Sequence, residues 1–241
     1  MSGLAAGARA GLPVVLGYLS IGFAAGVVQR AAGLSVAEVM LLSLVLYAGS
    51  AQFVVASLVA AAVSPATAII TVFFVNLRHL LLASALAPYC RNFPVWQNAL
   101  IGAQLTDETF VIAWGRLAGG AGATPAVLNA RWMIGLNLSA YGAWAIANLA
   151  GALLGDRVGN IHALGFDFAL AAMFGALLVL QLAGQGGAGR SVGLVVAALA
   201  ALISVAATLA LPGHWNILVA TLVAATTGLG LQQWKSATTS L

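Results

Sequence analysis

Residues 65–88 read PATAIITVFFVNLRHLLLASALAP. The run is long enough to cross a bilayer, which takes ~20 residues of helix. Its only strongly polar interruption, Asn76-Leu77-Arg78-His79, falls near the middle. Runs of this kind fill the 241-residue chain, which is 62% hydrophobic and 6% charged. Soluble domains carry roughly a quarter charged residues, and a soluble fold of this length with so few would not stay dispersed. In lipid the backbone must satisfy its own hydrogen bonds, which leaves helices or a closed barrel. Barrel strands alternate apolar and polar residues, whereas these runs are apolar all round. The fold class is therefore all-α, a polytopic transmembrane helix bundle. Breaks at charge, Pro and Gly place spans near 11–29, 38–62, 65–88, 97–115, 131–154, 166–184, 191–211 and 214–234. That makes about eight spans, or seven if one segment is re-entrant. The short connections predict one integral membrane domain over 1–241.

The net charge of +4 is not a nucleic-acid patch, because the bases stand singly: Arg30, Arg91, Arg116, Arg131, Arg157, Arg190 and Lys235. On the eight-span map Arg9, Arg116, Arg131, Arg190 and Lys235 share one side, and Arg30, Arg91 and Arg157 the other. The excess of bases on the first side favours both ends in the cytoplasm. Arg9 followed by the apolar stretch from Leu12 to Val28 is also the pattern of a signal peptide. Further apolar segments follow at once, so the stretch is read as the first span. Gly22 and Gly26 in that span, with Gly17 a turn or so earlier, are small residues of the kind that let helix backbones approach closely. The single cysteine, Cys90, excludes an intrachain disulfide and a thiolate cluster, and reads as a small hydrophobe near a helix end. Trp96, Trp132, Trp215 and Trp234 lie near span ends, as interfacial belts require. The halves share only Ala/Leu composition, so no internal repeat is evident.

A charge at mid-bilayer costs roughly 2.5–3.5 kcal/mol on insertion scales, so such residues usually face a bundle interior or a water cavity. The segment Tyr47-Ala48-Gly49-Ser50-Ala51-Gln52-Phe53 interrupts the second span with small and polar residues. It fits either an unwound stretch that offers backbone groups to a substrate or a helix crossing with Gln52 bonded to a neighbour. In the third span Asn76 and His79, three apart, share a helix face, and Arg78 points about 100° from His79. Arg78 can hold a substrate carboxylate or pair permanently with an acid of the next span. His79 can relay protons or be a satisfied interior histidine. In the fourth span Thr106-Asp107-Glu108-Thr109 holds two of the five acids, with Gln104 on their face at spacings of three and four. Adjacent carboxylates do not both ionise cheaply in a low dielectric. This suits a proton-coupling or amine-binding site, and intramembrane acids are functional by default. On the fifth span Asn137, Tyr141, Trp144 and Asn148 form a stripe that either lines a path or, as the stronger reading, hydrogen-bonds neighbouring helices. Asp167, behind Asp156, Arg157 and His162, reads as a helix cap.

Some chemistry is absent. No phosphate-binding Gly-rich loop with its Lys is present, nor a His-Glu-x-x-His zinc motif, nor a Cys/His cluster, nor a potassium-filter signature. No cofactor is therefore expected. Ser50 follows Gly49, and His79 lies one span on, but the Gly-x-Ser-x-Gly elbow of serine hydrolases is not present, and the residue after Ser50 is Ala51. An enzyme is the weaker alternative, behind a passive solute channel. A non-transporting scaffold has little reason to tolerate Arg78 and the acids.

Tyr47 to Phe53, then Asn76-Leu77-Arg78-His79-Leu80-Leu81, then Thr106-Asp107-Glu108-Thr109-Phe110 stand in an order and spacing that resemble the AzlC family. Gly11-Leu12-Pro13, Gly17 and Gly22 are similar to its first span. The first half carries the likeness; the second, with Asp167 and Phe174, agrees only in length and hydropathy. The resemblance implies the large subunit of a bacterial inner-membrane exporter of branched-chain amino acids or related solutes, with a small AzlD-type membrane partner. On that reading Gly49, Ser50, Gln52, Asn76, Arg78, Asp107 and Glu108 bind substrate, while His79, Asp107 and Glu108 are the candidates for proton coupling.

Overall fold

The computed structural model describes residues 3–117, 128–155 and 187–210, with scattered positions between 172 and 230. The expected spans at 166–184 and 214–234 lie outside the described residues in whole or in large part. Asp156, Arg157, His162, Asp167, Phe174, Trp215, Trp234 and Lys235 also fall outside them. The described residues form helices and turns, in two compact units, Met1–Met173 and Phe174–Leu241. The first holds α1 (Leu4–Ala10), α2 (Leu12–Ala31), α3 (Val36–Leu41), α4 (Gly49–Ala60), α5 (Pro65–Leu86), α6 (Val95–Ala103), α7 (Asp107–Leu117) and α8 (Ala130–Leu154). The second holds α9 (Gly187–Ala210).

Helix starts follow local chemistry. Ser35 and Glu38 cap α3 reciprocally: the Glu38 N–H donates to Ser35 Oγ at 3.2 Å and the Ser35 N–H to Glu38 Oε2 at 2.7 Å. Ser64 caps α5, ahead of Pro65 in the first turn. Asn129 Oδ1 accepts from the N–H groups of Arg131 and Trp132 to open α8.

Helix α8 is the hub. Its Trp132, Met133, Leu136, Ala140 and Trp144 are buried, and α1 and α2 both lie along it. Two matched pairs of small residues make this approach possible. A Cβ on Gly26 would run into the backbone of Asn148, and one on Gly151 into the backbone of Phe23. At the other end Gly7 meets the Trp132 carbonyl and Gly135 that of Leu4. Between lipid-immersed helices such backbone contact replaces the hydrophobic effect as the source of attraction. Gly22 packs on Ala147 in the same seam, whereas Gly17 faces open space. Helix α5 instead turns apolar side chains outward: Ile69 is 70% exposed and Leu81 72% exposed.

Two helices are unbroken, long and apolar enough to cross a membrane among the described residues: Leu12–Ala31 and Pro65–Cys90, the latter including a 3-10 turn. The segments at 38–62 and 97–115, read above as single spans, are each two shorter helices. In the first, α3 runs into a π-helical turn over Leu42–Leu46, Tyr47 adopts a left-handed φ of 41°, and α4 restarts at Gly49. In the second, α6 stops at Ala103 and α7 restarts at Asp107. The breaks escape hydropathy because the residues around them, such as Leu46, Ala48 and Leu105, are themselves apolar. Trp132 also departs from the expected interfacial position: it is 2% exposed, with the Arg116 guanidinium 4.6 Å from its ring centre. Cys90 is buried at a helix end, in a cluster with Leu86 and Ile101.

Candidate functional site

The two breaks face one another across a small cavity. The restart of α4 contributes Ala48, Gly49 and Ser50, and the restart of α7 contributes Thr106, Asp107 and Glu108. Arg78 and His79 come from α5, Tyr18 from α2, Tyr47 from the first break and Trp144 from α8. The first N–H groups of a helix have no partner within it, and its start carries partial positive charge. Both new helix starts thus present that charge to the cavity.

At α7 the sequence supplies its own cap. The Thr106 N–H donates to Thr109 Oγ1 at 3.0 Å, and the Thr109 N–H to Thr106 Oγ1 at 3.4 Å. Asp107 and Glu108 occupy the first turn, where acids complement the dipole. Their side chains then part. Asp107 Oδ2 lies 2.7 Å from Arg78 Nη1, in an ion pair whose side chains are 17% and 29% exposed respectively. Arg78 Nη2 also donates to Ser50 Oγ at 2.5 Å, so one guanidinium spans both helix starts. Glu108 Oε2 instead lies 2.6 Å from the Tyr18 hydroxyl, which is 2.9 Å from Thr106 Oγ1. The cavity measures about 20 Å³, space for about one water.

Gly49, Ser50, Arg78, His79, Asp107 and Glu108 are brought together here. Gln52 and Asn76 are not. Gln52 sits about 4.5 Å further along the helix axis than Gly49, fully buried, and its Oε1 accepts from Trp144 Nε1 at 2.8 Å. Asn76 lines an apolar groove with Phe73, Leu77 and Leu80, away from the cavity. Its three-residue spacing from His79 leaves the two about 60° apart around the helix, enough to put them on different surfaces. Nor does Gln104 share a helix face with Asp107 and Glu108, because the helix is interrupted between them.

Five cavity residues are not among the substrate-binding and proton-coupling candidates read from the sequence: Tyr18, Tyr47, Ala48, Thr106 and Trp144. For Thr106 a signal existed, since Thr followed by two acids and a second hydroxyl marks a helix start. Tyr18 offers none, because its partners lie about ninety positions away in the chain.

The polar stripe on α8 bonds to neighbouring elements, and the partners of Asn137, Tyr141 and Trp144 sit next to the breaks. Asn137 Nδ2 donates to the Ile101 carbonyl at 3.1 Å, near the end of α6. The Tyr141 hydroxyl donates to the Leu44 carbonyl at 2.8 Å, in the π turn. Trp144 holds Gln52 of α4, and Asn148 Oδ1 accepts from Gln29 Nε2 at 3.0 Å. Disrupted helices survive at membrane depth only where other groups satisfy the freed backbone, and one face of α8 supplies donors at both breaks.

The family described as AzlC protein matches residues 13–158, a stretch that contains every residue lining the cavity. An uncharacterized membrane protein of Archaeoglobus fulgidus is 32% identical over 180 residues, covering 72% of this chain and 73% of that protein. The inner membrane protein YgaZ of Escherichia coli is 31% identical over 156 residues, 62% of this chain and 60% of its own. The branched-chain amino acid transport protein AzlC of Bacillus subtilis is 26% identical over 171 residues, 70% of this chain and 64% of its own. No solved structure matches the chain. A membrane protein whose matched region holds two broken helices around an Arg78–Asp107 pair, this chain belongs to the AzlC family.

Proposed function

We propose that the chain is a secondary transporter that exports branched-chain amino acids or similar small solutes across the bacterial inner membrane, coupled to protons and aided by a small AzlD-type membrane subunit. The observation that carries this reading is the meeting of two helix starts, a guanidinium and two carboxylates at one cavity. Broken helices that point their starts at a buried site are a recurring way to hold an anionic group in a membrane. A zwitterion needs the opposite charge nearby, which Asp107 and Glu108 provide. The name of the Bacillus subtilis relative supports the substrate class.

In this mechanism the substrate carboxylate takes the place of Asp107 on Arg78 and reaches Ser50 and the N–H groups at the start of α4. The ammonium group goes to the released Asp107 or to Glu108. Trp144, Tyr18 and Tyr47 wall the aliphatic side chain. Ligand sites usually measure ~300–1,000 Å³, so a cavity of about 20 Å³ corresponds to a closed form that opens to one side at a time. A proton that competes for the same carboxylate and enters as the neutral zwitterion leaves carries one charge down the membrane potential.

The test is counterflow of labelled valine in proteoliposomes, with and without the small subunit, for wild type, Arg78→Ala, Asp107→Asn and Glu108→Gln. Loss of exchange in Arg78→Ala and in at least one acid variant, at normal abundance, is expected. Normal exchange in all three would remove the site from this position.

A further inference from the structure

The two acids of the cavity have different partners, and the difference assigns them different work. We propose that Glu108, not Asp107, is the group that takes up and releases the coupling proton, and that Tyr18 and Thr106 form a reversible hydroxyl chain that satisfies both of its forms. The proposal rests on the transport reading above and deepens it.

A phenol has one proton, yet the Tyr18 oxygen is within hydrogen-bond distance of both Glu108 Oε2, at 2.6 Å, and Thr106 Oγ1, at 2.9 Å. The two contacts are therefore alternatives for that proton. When Glu108 is a carboxylate, Tyr18 donates to it. When Glu108 is protonated, its own O–H donates to the Tyr18 oxygen, and Tyr18 turns to donate to Thr106 Oγ1. Thr106 has an onward acceptor in Thr109 Oγ1 at 3.4 Å, and Thr109 can donate to the Thr106 carbonyl at 3.3 Å. The chain thus ends on a backbone oxygen, and every donor keeps an acceptor in both states. The net change is one proton gained by Glu108, with no bond broken elsewhere.

Asp107 has no such alternative. Its neighbour is the Arg78 guanidinium at 2.7 Å, and protonating it would dissolve that ion pair. The groups around Glu108 are Tyr18 from α2, Tyr47 from the first break, Arg78 and His79 from α5, and Asp107 on its own helix. Of the acids and bases among them, Arg78 is engaged with Asp107 and Ser50, and His79 Nδ1 lies 3.3 Å from the Asn76 carbonyl of its own helix. A hydroxyl, not a charge, is the direct partner of Glu108.

Infrared difference spectra of the purified full chain, recorded between alkaline and acidic buffer, test this through the carbonyl band of a sheltered carboxylic acid. With only five acids in the chain, the band is assignable by substitution. It is expected in wild type and in Asp107→Asn, absent in Glu108→Gln, and shifted to higher frequency in Tyr18→Phe, where the protonated carboxyl loses its acceptor. A band that persists in Glu108→Gln, or that does not move in Tyr18→Phe, or that is missing from wild type, overturns the proposal. Should Glu108→Gln fail to accumulate, Tyr18→Phe decides alone. Valine counterflow by the wild type separates the two claims. Flux without the band leaves transport standing and removes Glu108 as proton carrier. The band without flux removes the transport reading and leaves Glu108 as a sheltered proton site.

Discussion

The ion pair between Arg78 and Asp107 should be energetically coupled and yet replaceable in the fold, while Arg78 itself is not replaceable in transport. Arg78→Gln, Asp107→Asn and the double variant form a cycle that measures both properties. Breaking a buried pair from one side costs ~3–5 kcal/mol, and an exposed pair is worth ~0–1 kcal/mol. With side chains 29% and 17% exposed, this pair lies between those limits, so each single variant should lose about 2 kcal/mol. The double variant leaves no unmatched charge, and its amides can still bond to each other and to Ser50. It should recover to about 1 kcal/mol below wild type, a coupling of about 3 kcal/mol. Unfolding in detergent gives the stabilities, and labelled-valine counterflow gives the activities. All variants lacking Arg78 should be inactive, the stable double variant included. Strictly additive stabilities would show that the pair contributes nothing to the fold. Transport by the double variant would refute the role of the guanidinium in holding a carboxylate.

Gly26→Val drives a branched side chain into the backbone of Asn148; a loss of about 3 kcal/mol or more is expected from such overpacking at a backbone contact, seen as low abundance and early thermal unfolding. Trp144→Phe keeps a ring against Tyr18, whose centre is 5.0 Å away, but deletes the donor to Gln52. Interhelical bonds of this kind average ~0.6 kcal/mol and reach ~1.7 kcal/mol, so thermal unfolding should show a loss of about 1 kcal/mol. Thr106→Val removes the cap of α7 and the second partner of Tyr18. Its stability cost of about 1 kcal/mol should come with a changed pH dependence of valine flux, which a simple cap loss at a distant helix would not produce.

Several elements could be read before any coordinates were known, and the reason is physical. Helices α2, α5 and α8 are long apolar runs bounded by Pro13, Pro65 and Asn129, and the packing of α1 and α2 onto α8 uses glycines whose spacing is visible in the chain. The polar islands were legible because lipid makes charge conspicuous: Arg78, Asp107 and Glu108 stand out against Leu and Val. What stayed hidden was where helices stop. Leu46, Ala48 and Leu105 are apolar on both sides of a chain reversal or restart, so hydropathy continues straight through. Thr106 to Thr109 was read by helical periodicity as mid-span, although the same residues are a helix-start signature. Tyr18 is hidden for another reason. A lone aromatic in an apolar run looks like packing, and only the fold brings it to its partners.

The stripe on α8 has a mechanical consequence. Because Asn137, Tyr141 and Trp144 tie both half-helix tips to a single post, those tips cannot swing apart without breaking these hydrogen bonds. The rigid half of the machine is therefore α8 with the two tips. Helix α5 meets that half through Arg78 and, among the described residues, leaves apolar side chains such as Ile69 and Leu81 exposed on its outer face. In the proposed cycle, α5 is therefore the wall expected to move.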